Sequence, residues 1–138
     1  MKYVFETEME VRDYECDIEG IVNNANYLHY AEHTRHLFLQ KCGLSFAEMH
    51  RRGIDAVVAR MKLESKIPLQ CDDKFISRLW IEKDGFKYIF HQDFFKFFPE
   101  EQREKMIFRA NVMLVCIVNG RLAESTEYDE AFKPYINE

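Results

Sequence analysis

Residues 23–43 read NNANYLHYAEHTRHLFLQKCG, and their period decides what the rest of the chain has to do. Tyr27, Leu28, Ala31, Thr34, Phe38 and Cys42 recur at three- and four-residue steps, the spacing that puts side chains on one helix face. Asn23 or Asn24 can cap the first turn, because an asparagine oxygen accepts from amides that lack an intrahelical partner. Gly43 supplies the stop. The spacing predicts one helix over 25–42, about five turns long.

On either side of this helix the period changes. Residues 3–12 (YVFETEMEVR) alternate, with Tyr3, Phe5, Thr7, Met9 and Val11 on one face of an expected strand. A short helical piece is expected at 45–52, and everything after it reads as strands. These are 54–67, closed by Pro68; 74–82, ended by Asp84-Gly85; the aromatic-rich 86–98; and 106–118, reached through a charged turn at 99–105. Asn119-Gly120 then reads as a hairpin turn, since both residues tolerate positive φ. With no helix between the later strands, a parallel doubly wound sheet is excluded. The economical architecture is α+β: a curved antiparallel sheet of five to six strands wrapped around one long central helix, the hotdog arrangement. It leaves an edge strand to be paired across a dimer.

Composition narrows the setting. A chain of 138 residues fits a single domain over 1–138. Its 47% hydrophobic and 14% aromatic content is too apolar for disorder. No apolar stretch is long enough to span a membrane, and the N-terminus alternates too early for a signal peptide, so a cytoplasmic protein is expected. A net charge of −5 argues against a nucleic-acid partner. Cys16, Cys42, Cys71 and Cys116 lie far apart with no CxxC pair, which reads as reduced, mostly packed thiols.

Several familiar chemistries find little support. The string HYAEH matches an HxxEH zinc pattern, and His29, His33 and His36 project within one sector of the helix. A peptidase needs a further ligand from another helix, and no second long helix is offered. There is no GxSxG elbow, GxGxxG turn or P-loop. Cys16 stands beside Asp17, whose charge would raise its pKa and weaken it as a thiolate. The aromatics of 86–98 read as core and dimer interface rather than a base-stacking platform.

What remains is YECDIEGIVNNANYLHY, residues 14–30. An Asx turn at Asp17 and a cap at Asn23 or Asn24 account for the residue types without chemistry. The alternative is a carboxylate, Asp17, placed seven residues before the open amides of a helix N-terminus. Such amides polarise a carbonyl while the carboxylate activates water or attacks directly.

These residues closely resemble the opening of the 4-hydroxybenzoyl-CoA thioesterase/YbgC-like acyl-CoA thioesterases. That group's pattern matches Asp17, Gly20, Ile21-Val22, Asn26-Tyr27-Leu28 and Glu32, with Pro68 and Asp73 opening a later strand. The resemblance implies an acyl-CoA thioesterase with Asp17 as general base or nucleophile and the Asn24 backbone N–H as the oxyanion donor. Gly20, Asn23 and Tyr27 would surround the substrate, and Arg60, Lys62 and Lys66 would serve CoA phosphates. It implies no metal, no cofactor, and a homodimer or a homotetramer built as a dimer of dimers.

Members of that group usually carry His where this chain has Asn24, a change to which a backbone donor is indifferent. The VNNANY stretch also resembles the HVNN motif of acyl-ACP thioesterases. Glu19 and Ile21 stand where that motif's group has Asn and His, so its catalytic set is incomplete. An acyl-ACP thioesterase and a non-catalytic acyl-thioester binding protein of the same fold are the competing readings. A dehydratase of this fold is less supported, because no His precedes residue 29.

Overall fold

In a computed structural model describing residues 2–136, the first strand, β1 (Phe5–Glu10), alternates as its sequence dictates. Phe5, Thr7 and Met9 are half-buried while Glu6, Glu8 and Glu10 face out. Tyr3 leaves the expected face: its hydroxyl donates to Asp93 at 2.6 Å and its ring meets Phe95 edge-on. A phenol can follow a buried carboxylate at the cost of its strand position.

The helix α1 (Asn24–Lys41) starts where Asn23 accepts from the Ala25 N–H at 3.0 Å. It ends because Gly43, at φ 83°, takes the left-handed conformation that redirects two carbonyl bonds. Gly43 N–H donates to Gln40 O and Leu44 N–H to Leu39 O, both at 3.0 Å. Its buried face differs from the expected stripe. Tyr27, Ala31, Thr34 and Phe38 are buried as expected, but Leu28 and Cys42 are only half-buried, and Tyr30, Arg35 and Leu39 are buried instead. The reason is that polar side chains find partners inside. Tyr30 donates to Glu15, Thr34 shares a 2.7 Å bond with Ser77, and Arg35 donates to Gln92.

A short helix, α2 (Phe46–Arg51), capped by Ser45, leads into β2 (Ile54–Ser65). Then follow β3 (Lys74–Asp84), β4 (Lys87–Phe98), β5 (Arg103–Val118) and the two-residue β6 (Arg121–Leu122). The sheet order is β1-β3-β4-β5-β2, with β6 on β5 and every pairing antiparallel. Register shifts at Val58/Arg60 and Phe94/Phe95 add the local bends that help a sheet curl. β5 begins three residues before the expected 106, because Arg103, Glu104 and Lys105 extend the hairpin beyond the buried part. Asn119 and Gly120 both have positive φ, as their turn requires.

On the helix-facing side, Phe75, Leu79, Phe90, Phe94, Phe108 and Val112 are buried with α1. Phe38, wholly buried, meets the rings of Phe5, Phe90, Phe132 and Tyr135 at 5.2–6.2 Å. The expectation of strands alone after residue 54 fails at α3 (Thr126–Phe132). Ser125 caps it, and the fully buried Tyr128 and Phe132 bring it into the core. Among the described residues no helix is long and apolar enough to cross a membrane.

Candidate active site

The segment between β1 and α1 is shaped by its backbone. A single 3-10 turn over Asp13–Glu15 brings Glu15 inward, where it is 6% exposed. Its carboxylate accepts from the Arg12 N–H at 2.7 Å, from Arg12 Nη1 at 3.2 Å and from the Tyr30 hydroxyl at 2.8 Å. Its carbonyl accepts from Asn23 N–H and Asn26 Nδ2, both at 2.9 Å. Glu15 therefore clamps the loop to the first turns of α1. Burial, reinforced by that carboxylate, pushes the Tyr30 hydroxyl pKa well up, so Tyr30 stays a donor. Sequence reasoning did not single out Glu15 or Tyr30. The available signal was the Arg12-to-Glu15 spacing, three residues apart as in a capping box.

Asp17 opens a tight turn at the loop tip. Its N–H donates to Ile21 O at 2.9 Å, and its carbonyl accepts from Gly20 N–H at 3.0 Å. Gly20 sits at φ 80°, a conformation that any side chain would strain. The Asp17 carboxylate is exposed, and Oδ1 accepts from Glu19 N–H at 2.9 Å and more weakly from Ile21 N–H at 3.4 Å. No protein donor is recorded for Oδ2 among the described residues. The Asx turn expected from composition is present, and it orients the carboxylate without consuming it.

The loop is held on its other flank by residues 69–73. Val22 N–H donates to Leu69 O at 2.8 Å and Cys71 N–H to Gly20 O at 3.3 Å. Asp73 steadies that flank by accepting from Gln70 N–H at 2.8 Å and Lys96 Nζ at 3.0 Å. Tyr27 is buried and reaches across to accept the Leu69 N–H at 2.9 Å, its ring stacked on Phe108 at 4.7 Å. Burial, then Cys71 and Asp17 beside it, push the Cys16 thiol pKa up and leave it a poor nucleophile.

Asp17 and Gly20 thus share one turn, Asn23 and Asn24 follow it at the start of α1, and Tyr27 reaches the 69–73 flank that braces this loop. Asn23 is the cap, and because it takes the Ala25 amide, the Asn24 N–H opens the helix without an intrahelical acceptor. Arg60, Lys62 and Lys66 are not gathered with them. Arg60 and Lys62 are exposed on β2, facing Met113 and Asn111 on the side of the sheet away from α1. Lys66 lies just past β2 and pairs with Glu64 at 3.3 Å. His29, His33 and His36 are exposed, and no described cluster of His, Cys, Asp or Glu has the makings of a metal site.

Comparison with known proteins gives a consistent set of likenesses. A family model described as "Thioesterase-like superfamily" matches residues 11–134. A chloroplastic acyl-acyl carrier protein thioesterase, ATL3 of Arabidopsis thaliana, is 33% identical over 74% of this chain and 54% of its own length. This chain spans about half the length of such plant relatives. A putative acyl-CoA thioesterase of Bacillus subtilis, YneP, is 33% identical over 64% of each chain. Among solved structures, a hypothetical protein of Aquifex aeolicus superposes with a TM-score of 0.82 at 30% identity, covering 92% of this chain and 98% of its own.

Proposed function

The chain belongs to the thioesterase-like superfamily, and from that premise we propose that it hydrolyses acyl thioesters, with acyl-CoA as the substrate class. What supports the reading is an exposed, backbone-oriented Asp17 carboxylate seven residues before the open Asn24 amide at the start of α1. A thioester is already an activated acyl group, so the chemistry asks for little more. Asp17 takes a proton from a water whose oxygen bonds to the acyl carbon, or attacks that carbon itself to give a mixed anhydride that water then cleaves. On either route the C–S bond breaks and CoA leaves as its thiol, with the acid as the other product. The Asn24 N–H, aided by the positive end of α1, receives the negative charge growing on the carbonyl oxygen.

The site acts in a homodimer joined through β2. The two sheet edges differ in kind: β1 carries Glu6, Glu8 and Glu10 outward, a guard against edge pairing, whereas β2 exposes Val57, Val58, Met61 and Leu63. Beside Asp17, Ile18 is 102% and Tyr14 76% exposed, an apolar rim suited to contact with a second subunit. Arg60 and Lys62, free of carboxylate partners among the described residues, are available to CoA phosphates at that edge.

The deciding test is a panel of short, long and aromatic acyl-CoAs with wild type and Asp17→Asn. Asparagine keeps the oxygen that accepts from Glu19 and Ile21, so the loop survives while the base and nucleophile are lost. Turnover should fall about 10²–10⁴-fold. Equal turnover by the variant would remove Asp17 from the reaction. The same acyl groups on carrier protein test the second reading, an acyl-ACP thioesterase, which the plant likeness favours. Tight binding with no hydrolysis of either carrier would instead identify a binding protein.

A further inference from the structure

The cleft between α1 and the free edge strand β2 holds a cation that the proposed chemistry does not use. Arg35 is 5% exposed. Its Nη1 donates to Gln92 Oε1 at 2.9 Å, and Gln92, wholly buried, is fixed in turn by donating Nε2 to the Ala31 carbonyl at 2.9 Å. No described carboxylate reaches ion-pair distance. Glu32, one turn back, acts on Arg35 only through space, while burial pushes the guanidinium pKa down. A guanidinium has five N–H donors and stays charged. Gln92 holds Nη1 in place, and the remaining N–H groups, with no protein acceptor among the described residues, are left available to an acceptor from outside the protomer.

Arg35 opens on a cavity of about 230 Å³. Phe46, Ala56, Val58 and Leu114 supply apolar walls, and Glu32, His36 and Asp55 share the polar part with Arg35. Asp55 is already engaged with His50 at 2.6 Å. Two carboxylates on the lining disfavour an anionic group there, whereas a bare methylene offers Arg35 nothing. A hydroxyl fits both demands, since its oxygen accepts from Arg35 while its proton goes to Glu32. Eleven residues of α1 separate Arg35 from Asn24, about 16 Å along the axis. An acyl chain whose carbonyl sits at Asn24 and which runs along α1 would bring its far end to this cavity.

Resting on the thioester reading above, we propose that Arg35 is a specificity-determining residue that selects acyl groups carrying a hydroxyl remote from the thioester. The test compares length-matched CoA thioesters that differ only at that far position: hydrogen, hydroxyl or carboxyl. Wild type should favour the hydroxylated member in kcat/KM by about 10–100-fold, the span of one hydrogen bond to a charged group. Arg35→Met should collapse that ratio toward one, and Arg35→Lys should restore part of it. Equal use of the pair by wild type overturns the proposal without requiring any variant to fold, and so does preference for the carboxyl member. If Arg35→Met depresses both members alike and converts dimer to monomer in gel filtration, the acceptor is a carboxylate of the partner subunit and the proposal falls. If no thioester is hydrolysed at all, the hydrolase reading fails separately. Equilibrium binding of the same pair then decides Arg35, with equal affinities counting against it.

Discussion

The loop that carries Asp17 and the sheet face beneath α1 are held in place by different forces. At the loop tip, beyond the Glu15 clamp, order comes mainly from main-chain groups: Asp17 with Gly20 and Ile21, Gly20 with Cys71, Val22 with Leu69. Its large apolar side chains, Tyr14 and Ile18, are exposed and add no packing to the core. Under α1 the order comes from side chains, with Phe38 enclosed by four aromatic rings and two polar pairs, Thr34–Ser77 and Arg35–Gln92, crossing from helix to sheet. A surface held by its backbone can exchange side chains for chemistry at little cost in stability. A surface held by packing cannot.

That contrast breaks most visibly at Phe38. Phe38→Ala removes the centre of the aromatic cluster and should cost about 3–5 kcal/mol of stability, read as a lowered denaturant midpoint. Asp17→Asn should leave the same midpoint within about 0.5 kcal/mol of wild type, the range of surface changes away from special features. Loss of stability at Asp17 comparable to that at Phe38 would show that the loop depends on side-chain packing after all.

A smaller effect is set by protons, and it belongs to the packed region. Burial pushes the Cys116 and Cys42 thiols from an ordinary pKa of 9.0 up to about 11. Each raised pKa favours the folded state with its proton on. The contribution is fully present below pH 9 and is lost as pH rises toward 11, when the unfolded thiols ionise and the folded ones do not. Thermal melts from pH 8 to 11 should show Tm falling across that window, with a shallower fall in Cys116→Ala. A fall of unchanged steepness in that variant would assign the alkaline loss to other groups. Buried Tyr30 and Tyr128, whose pKa values are also raised, act in the same direction at higher pH.

The same division explains what could be read from the sequence. The helix start at Asn23, its stop at Gly43 and the Asn119-Gly120 turn are local backbone events, each written in one or two residues. The Asp17–Gly20 turn was legible for the same reason. The polar seam was legible only at Thr34, because Arg35, Ser77 and Gln92 become core residues only when helix and sheet meet. On a helical wheel Arg35 falls within the apolar stripe, four residues after Ala31 and three before Phe38, but its charge argues for solvent, and nothing local announces the glutamine 57 residues away. α3 escaped because seven residues, TEYDEAF, contain too few turns to display a period, and Tyr128 and Phe132 are decided by the cavity they fill.

Asn23 stands where the two regimes meet, and it gives the finest discrimination between them. Its side chain caps α1 through the Ala25 N–H, its own N–H holds the Glu15 carbonyl, and its neighbour Asn24 presents the proposed oxyanion donor. Asn23→Ala removes the cap and should cost about 0.5–2 kcal/mol, far less than Phe38→Ala. It also releases the first turn, so the Asn24 amide no longer keeps its aim and kcat should fall with KM little changed. Asn23→Asp retains an accepting oxygen and should preserve the stability. If its turnover on acyl-CoA also stays near wild type while that of Asn23→Ala drops, the cap acts by fixing the helix terminus. Were both variants equally impaired in turnover, the Asn23 amide nitrogen would itself be needed by the substrate, and the boundary between scaffold and site would move one residue into the loop.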